Sequence, residues 1–516
     1  MASGQDGFAA QSGRSGGRSS ATATAIAGEA ASGELPRRIA PRPQLVTYPD
    51  SLGGDLRHLE AHLRGSFRGL FRGVHILPPF PSSGDRGFAP VTYREIEPRF
   101  GSWADIERIA ADYDVLLDLM INHISRRSPE FRDFERRGRR SPHADLFITL
   151  DKVWPGGEPA PDDVARIFLR KPEAPFTTIT IADTGEQERV WTSFGTADWS
   201  EQIDLDVTST ATRRLIADWL RTFSERGVRI VRLDAVGYVI KKPGTSCFMV
   251  EPEIYEFLDW VADLAGSLGL MVLPEIHERY TTHERLVAHG FWTYDFVLPG
   301  LVLHAFVTGD ARRLADHLRR SPHRQFTTLD SHDGIPVRPD LDGILTEDEM
   351  RALADHVSRQ GGNVNRILSK SEGGVDIHQL NCTYYSALGC DDERYLAARA
   401  IQLFARGVPQ IYYVGLLAGE NDLAAVERTG EGRAINRHDY SDGEIEAALR
   451  RPVVARLLDL VRLRNTHPAF EGDLDVGLDG EAHLTLHWQN GPAVCRLEVD
   501  VRTGSFVVSS EAAAAT

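Results

Sequence analysis

Three things are scarce in this 516-residue chain. Cysteine occurs only at Cys247, Cys382, Cys390 and Cys495. These positions lack the spacing of a metal-ligand set and are too sparse for a disulfide scaffold, so they read as reduced structural thiols of a cytoplasmic protein. No run of about 18 apolar residues occurs, so no membrane-spanning helix and no membrane partner is expected. Basic charge is in deficit as well. With 58 Lys and Arg against 74 Asp and Glu, the formal charge is −16, which argues against a nucleic-acid partner. An anionic substrate would need its own basic pocket, because the overall field repels it.

What is present is 42% hydrophobic and 26% charged residues, the composition of an ordinary soluble globular protein with ample length for a large core. Residues 1–40 are rich in Ala, Gly and Ser and read as a disordered tail. Beyond them, short apolar strands alternate with longer amphipathic segments. The strand candidates are QLVTYPD from Gln44, GVHILPPFP from Gly73, VLLDLMINH from Val115 and VRIVRLDAVGY from Val228. After these come LMVLPEIHE from Leu270, FWTYDFVLPG from Phe291, FTTLDSHDG from Phe326 and VPQIYYVGLLAG from Val408. Helical stretches such as RRLIADWLRTFSERG and EIYEFLDWVADLAGSLG separate them, each closing on Gly.

Eight such alternations predict an α/β fold, a parallel (β/α)8 TIM barrel. The barrel would occupy residues 41–123, 207–333 and 396–473. Two rim insertions, 124–206 and 334–395, are too long for simple crossovers, and long insertions after barrel strands build active-site walls. From 474 to 516 the runs HLTLHWQ, AVCRLEVD and SFVVSS predict a small C-terminal β domain.

Charges at the C-terminal ends of barrel strands read as catalytic. Asp234 ends the fourth strand, Glu275 the fifth and Asp333 the seventh. Singly, each would be a salt bridge or a loop cap. Three on one rim match the carboxylate set of glycoside chemistry: a nucleophile, an acid and a further negative group near an oxocarbenium-like transition state. Arg232 shares a strand face with Asp234. It is expected to hold Asp234 ionised, while Glu275, with no cation in PEIH, is expected to sit in a less polar surrounding that raises its pKa.

At these residues the chain resembles a known family. RLDAVGY, PEIHE, SHDG and INH (Ile121–His123) resemble the motifs of the α-amylase superfamily. GVHILPPFPSSGDRGFAP, NCTYYSALGCDD and VPQIYYVGLLAGENDL resemble its sucrose phosphorylase subgroup, over about residues 44 to 470. The resemblance implies Asp234 as the nucleophile of a β-glucosyl ester, Glu275 as general acid/base and Asp333 as transition-state stabiliser. It implies a donor-glucose pocket of Asp85, Phe88, His123, Arg232, His332 and Arg437. No cofactor and no metal is implied.

Phosphate rather than water would then take the glucosyl group, from an acceptor side built by Arg170, Lys171, Asp376, His378 and Gln379. FLRK and VDIHQ resemble the members acting on sucrose 6F-phosphate more than those acting on sucrose. The chain departs from that pattern at Pro172. Sucrose as donor, a hydrolase or transglucosidase, and a silent sugar-binding barrel stand as alternatives. The partners implied are a small sugar and inorganic phosphate, in a monomer or homodimer.

Overall fold

The structure is a computed structural model describing residues 39–171, 173–194, 201–336, 343–368 and 375–511, without the side chains of 364–368 and 375–378. The expected N-terminal tail therefore lies outside the described residues, except for 39 and 40, and so does Pro172. Eight strands make one parallel sheet: β1 (Gln44–Thr47), β2 (Gly73–Ile76), β3 (Asp114–Met120), β4 (Ile230–Asp234), β5 (Met271–Pro274), β6 (Thr293–Asp295), β7 (Gln325–Thr327) and β8 (Val408–Tyr412). Their order is β6-β7-β8-β1-β2-β3-β4-β5, so the sheet curls into a nearly closed (β/α)8 barrel. β3 and β4 are buried almost throughout, as strands covered by crossover helices must be, which is why they read as near-continuous apolar runs.

The helices attach by the expected stripes. In the helix Thr210–Glu225, Ile216, Trp219, Leu220 and Phe223 are buried, the three-and-four spacing of one helical face. Phe223 stacks on Phe80 at 5.7 Å, and Trp219 meets Tyr93 at 4.7 Å. Gly227 follows at φ +78°, the left-handed conformation that ends such helices at little cost to glycine.

Between β3 and β4, the chain forms a helix (Pro129–Arg137) and a hairpin, Phe176–Thr180 against Gln187–Trp191. Its strand Gln202–Asp204 pairs antiparallel with His123–Ser125 at the barrel mouth. Lys241 fastens this insertion. Its ammonium donates to Asp204 Oδ2 at 2.7 Å, to Asn122 Oδ1 at 2.9 Å and to Tyr238 O. A charge so buried persists because its donors are all met.

Between β7 and β8 lie the helix Glu347–Arg359 and a three-stranded antiparallel sheet of Ile335–Pro336, Val375–Asn381 and Asn363–Leu368. The C-terminal sheet has four strands rather than the three that stand out in the sequence: β9 (Asp473–Asp479), β10 (His483–Asn490), β11 (Ala493–Asp500) and β12 (Phe506–Glu511). All four cysteines are free thiols, three of them buried. No helix among the described residues is long and apolar enough to cross a membrane.

Candidate active site

The site begins with strand periodicity. Arg232 and Asp234 point to one side of β4, and the parallel register sets Asp118 of β3 opposite Arg232. Arg232 is buried at 4% exposure. Its Nη1 donates to Asp118 Oδ1 and, at 3.0 Å, to Asp234 Oδ1, while Nη2 lies 2.8 Å from Glu275 Oε1. One guanidinium thus joins both carboxyls expected to do the chemistry. After Asp234 the chain turns through Ala235 at φ +52°, a conformation that costs a non-glycine residue of order 1 kcal/mol or more. That turn aims the Ala235 amide at Glu275 Oε2, at 3.3 Å.

Glu275 has a third donor, which the sequence did not single out. His277 Nε2 donates to Oε1 at 3.0 Å, its ring stacked 4.1 Å from Phe296. Burial raises the pKa of the Glu275 carboxyl, but Arg232 and His277 outweigh burial and hold it well below the usual carboxylate range. Asp234 goes the other way. Burial, then the charge of Glu275, outweigh Arg232 and push its carboxyl well above the usual range. The tuning expected from sequence is therefore inverted. PEIH holds no cation along the chain, yet Arg232 reaches Glu275 from the neighbouring strand. The two carboxyls compete for one guanidinium and titrate as a pair.

Asp333 lies in the turn after β7. Burial opposes its ionisation, but Arg433, His332 and Arg437 together hold it well below the usual carboxylate range. Arg433 Nη1 stands 2.9 Å from Asp333 Oδ1 and 3.9 Å from Asp85 Oδ1. Arg437 Nε donates to His332 O at 2.8 Å, leaving the buried Nη2 3.9 Å from Asp333 with no hydrogen-bond acceptor among the described residues. Burial pushes His332 down to about 3, so it is a neutral imidazole. Its ring stacks on Phe88 at 4.9 Å and 7°. His123, also lowered by burial, donates from Nε2 to Phe88 O at 3.0 Å.

Most of these groups line one cleft. Asp85, Phe88, His123, Asp234, Glu275, His332, Asp333, Gln379 and Arg170 of the predicted residues line it. Arg232 lies beneath Asp234 and Glu275, and Arg437 behind His332. Lys171 does not line it: buried at 5% exposure, its Nζ donates to Thr192 Oγ1 at 3.0 Å inside the insertion. Asp376 and His378 fall on the strand Val375–Asn381, with side chains outside the described residues. The sequence reading missed Arg433, His277, Gln202, Phe194, Tyr238 and Phe248, which line the cleft too. Arg170 lies over the rings of Phe194 and Tyr238, at 5.6 and 5.9 Å. Among the described residues no cluster of His, Cys, Asp and Glu has a metal-holding arrangement.

A parallel barrel with three carboxylates gathered at one mouth, two of them on one guanidinium, is the architecture of the glycoside-processing barrels. Comparison places it further. Residues 53–290 match the family alpha amylase, catalytic domain. The chain is 53% identical to the sucrose 6(F)-phosphate phosphorylase of Thermoanaerobacterium thermosaccharolyticum, over 89% of this chain and 95% of that protein. It is 44% identical to the sucrose phosphorylase of Streptococcus mutans, over 91% and 97%. The crystal structure of the sucrose 6F-phosphate phosphorylase from Thermoanaerobacter thermosaccharolyticum superposes with a TM-score of 0.90 at 51% identity, covering 93% of this chain and 98% of that one. The chain belongs to the sucrose phosphorylase group of the α-amylase family.

Proposed function

We propose that this protein is a retaining disaccharide phosphorylase. It would convert sucrose 6F-phosphate and inorganic phosphate to α-glucose 1-phosphate and fructose 6-phosphate. One observation carries the reaction class: Asp234 and Glu275 are bonded to the same guanidinium. Retaining pairs stand about 5–5.5 Å apart, whereas an inverting pair must leave room for a water.

In the first half-reaction an Asp234 oxygen bonds to the anomeric carbon as the glycosidic bond breaks, and Glu275 gives a proton to the departing fructosyl oxygen. Glu275 Oε1 is held by Arg232 and His277, so Oε2 is the oxygen that works. The opposed shifts favour a proton on Asp234 over Glu275, and donor binding has to reverse that preference. A sugar seated between the carboxyls loosens Glu275 from Arg232 and leaves the cation to Asp234. In the second half-reaction a phosphate oxygen attacks the same carbon from the face the fructose left. Its proton returns to Glu275, and the Asp234 ester bond breaks. Asp333, held ionised by Arg433, stabilises the positive charge in both transition states.

Support for phosphate chemistry is local. Arg170 and Arg433 both line the cleft of a chain whose net charge of −16 repels anions. Arg170 is assigned to the phosphate of the fructosyl moiety. A charged hydrogen bond is worth about 1.5–3 kcal/mol, so Arg170→Ala should lower kcat/KM for sucrose 6F-phosphate by about ten- to a hundredfold and leave sucrose nearly unaffected. Product analysis tests the whole. Wild-type enzyme should make glucose 1-phosphate from sucrose 6F-phosphate. Equal efficiency on sucrose would make sucrose the donor, and free glucose in the presence of phosphate would make the enzyme a hydrolase.

A further inference from the structure

The motif GVHILPPFP contains a histidine that the chemistry above does not use. His75 lies on β2 in the barrel interior, 3% exposed, where barrels are ordinarily filled by branched aliphatic side chains. Its Nε2 donates to Asp118 Oδ2 at 2.7 Å, and Asp118 gives its other oxygen, Oδ1, to Arg232 Nη1. Arg232 then meets Asp234 at 3.0 Å and Glu275 at 2.8 Å. A single chain of bonds therefore runs across three adjacent strands, from inside the barrel to the nucleophile.

The division of Asp118 matters. With His75 on Oδ2, only Oδ1 faces the guanidinium, and Nη1 is shared between Asp118 and Asp234. A buried carboxylate oxygen deprived of its donor takes the nearest one. Here that is Arg232, and a bidentate arginine–carboxylate pair is the stronger arrangement. Arg232 would then be drawn into the barrel, away from Asp234.

We propose that His75 is a positioning residue: by occupying one oxygen of Asp118 it keeps the Arg232 guanidinium on Asp234, ready for attack on the donor sugar. The inference rests on the reading of Asp234 as nucleophile. Asp118 faces His75, Arg232 and His332, with Tyr93 and Tyr294 nearby. Asp234 faces Arg232, Glu275, Asp118 and Asp333, with Tyr93 nearby. Among the described residues, His75 is the side chain bonded to Asp118 Oδ2.

α-Glucosyl fluoride tests this directly, because its leaving group needs little protonation and its first step reports the nucleophile. Activity requires ionised Asp234, so losing its cation raises the carboxyl's pKa and moves the onset of activity to higher pH. For His75→Leu the acidic limb of kcat/KM should shift up by about one pH unit, a roughly tenfold loss on the acid side that closes at high pH. His75→Gln, whose amide can stand where Nε2 stood, should restore the limb. If His75→Leu does not fold, His75→Asn, too short to reach Asp118, should show the same shift. A wild-type limb with uniform loss at every pH would reduce His75 to packing, as would a Gln variant no better than Leu. Wild type unable to use the fluoride would bring down the nucleophile reading itself, and this inference with it.

Discussion

Arg232 and Arg464 are both buried, at 4% and 1% exposure, in opposite surroundings. Arg232, under the cleft, has three carboxylates. Arg464 lies between the barrel and the C-terminal sheet, with no carboxylate partner among the described residues. Its Nη2 donates to Gly407 O at 2.8 Å, and its guanidinium lies 4.4 Å from the Phe470 ring and 5.2 Å from the Trp488 ring. Its Nε and Nη1 find no hydrogen-bond acceptor among the described residues. Burial disfavours charge on both. Around Arg232 the carboxylates of Glu275, Asp118 and Asp234 outweigh that cost and raise its pKa, whereas Arg464 is pulled down to about 9. The lesson concerns what a buried cation is for. At the junction a long stem fills space and satisfies a carbonyl. Under the cleft the cation is over-subscribed, with the carboxyls of Asp234 and Glu275 competing for it.

The largest effect expected from breaking this contrast comes from Asp234→Asn. Turnover should fall on the order of 10⁴-fold or more, the scale of losing a catalytic nucleophile. The same change should raise the melting temperature, because a carboxyl whose folded pKa is raised destabilises the fold at every pH above its unfolded pKa. Retained turnover would sink the nucleophile. A lower melting temperature would sink the crowded-charge account.

Arg232→Leu should come next. Removing one partner from a buried ionic cluster costs about 3–5 kcal/mol, and here three carboxylates lose their cation together. In wild type the depressed pKa values of Glu275 and Asp118 give stability that is present above their unfolded values and lost as pH falls. In the variant those pKa values rise, so the penalty is greatest at neutral pH and relaxes on acidification. Thermal unfolding at pH 7 and pH 5 checks the sign: a deficit of equal size at both would mean that charge is not what Arg232 supplies.

How much of this was legible in the sequence depends on whether neighbours along the chain decide the matter. The eight barrel strands were legible, because buried parallel strands are apolar runs. So was the shared face of Arg232 and Asp234, which needs only a period of two. Asp118 opposite Arg232 was not, since pairing across strands requires the register. For the same reason the cation on Glu275 was invisible in PEIH. Arg170 and Lys171 show the limit most plainly: they are adjacent, yet one lines the cleft and the other is buried in the insertion, and nothing local says which. Arg433 stands four residues before Arg437 and reaches the same Asp333, yet only the motif residue was singled out. In DLDVGLD the alternation is real, with Leu474 and Val476 buried and Asp473 and Asp475 exposed, but the acidic residues and Gly477 disguised a strand.

The smallest effect should come from the other arginine. Arg464→Met keeps an unbranched stem against Phe470 and Trp488 and removes a charge that has no carboxylate to answer it, a replacement that is often neutral on balance. What it takes away is the donor to Gly407 O, and a buried carbonyl left unsatisfied costs about 1–3 kcal/mol. Relief of the buried charge offsets part of that. A net loss near 1 kcal/mol is expected, seen as a drop of a few degrees or less in melting temperature. The pH profile of kcat/KM should be unchanged, because no described contact links Arg464 to the cleft. A loss as large as that of Arg232→Leu would mean that the junction, too, depends on its charge. A shifted pH profile would mean that the C-terminal sheet acts on the carboxyl pair through the barrel, and the two arginines would then belong to one electrostatic system.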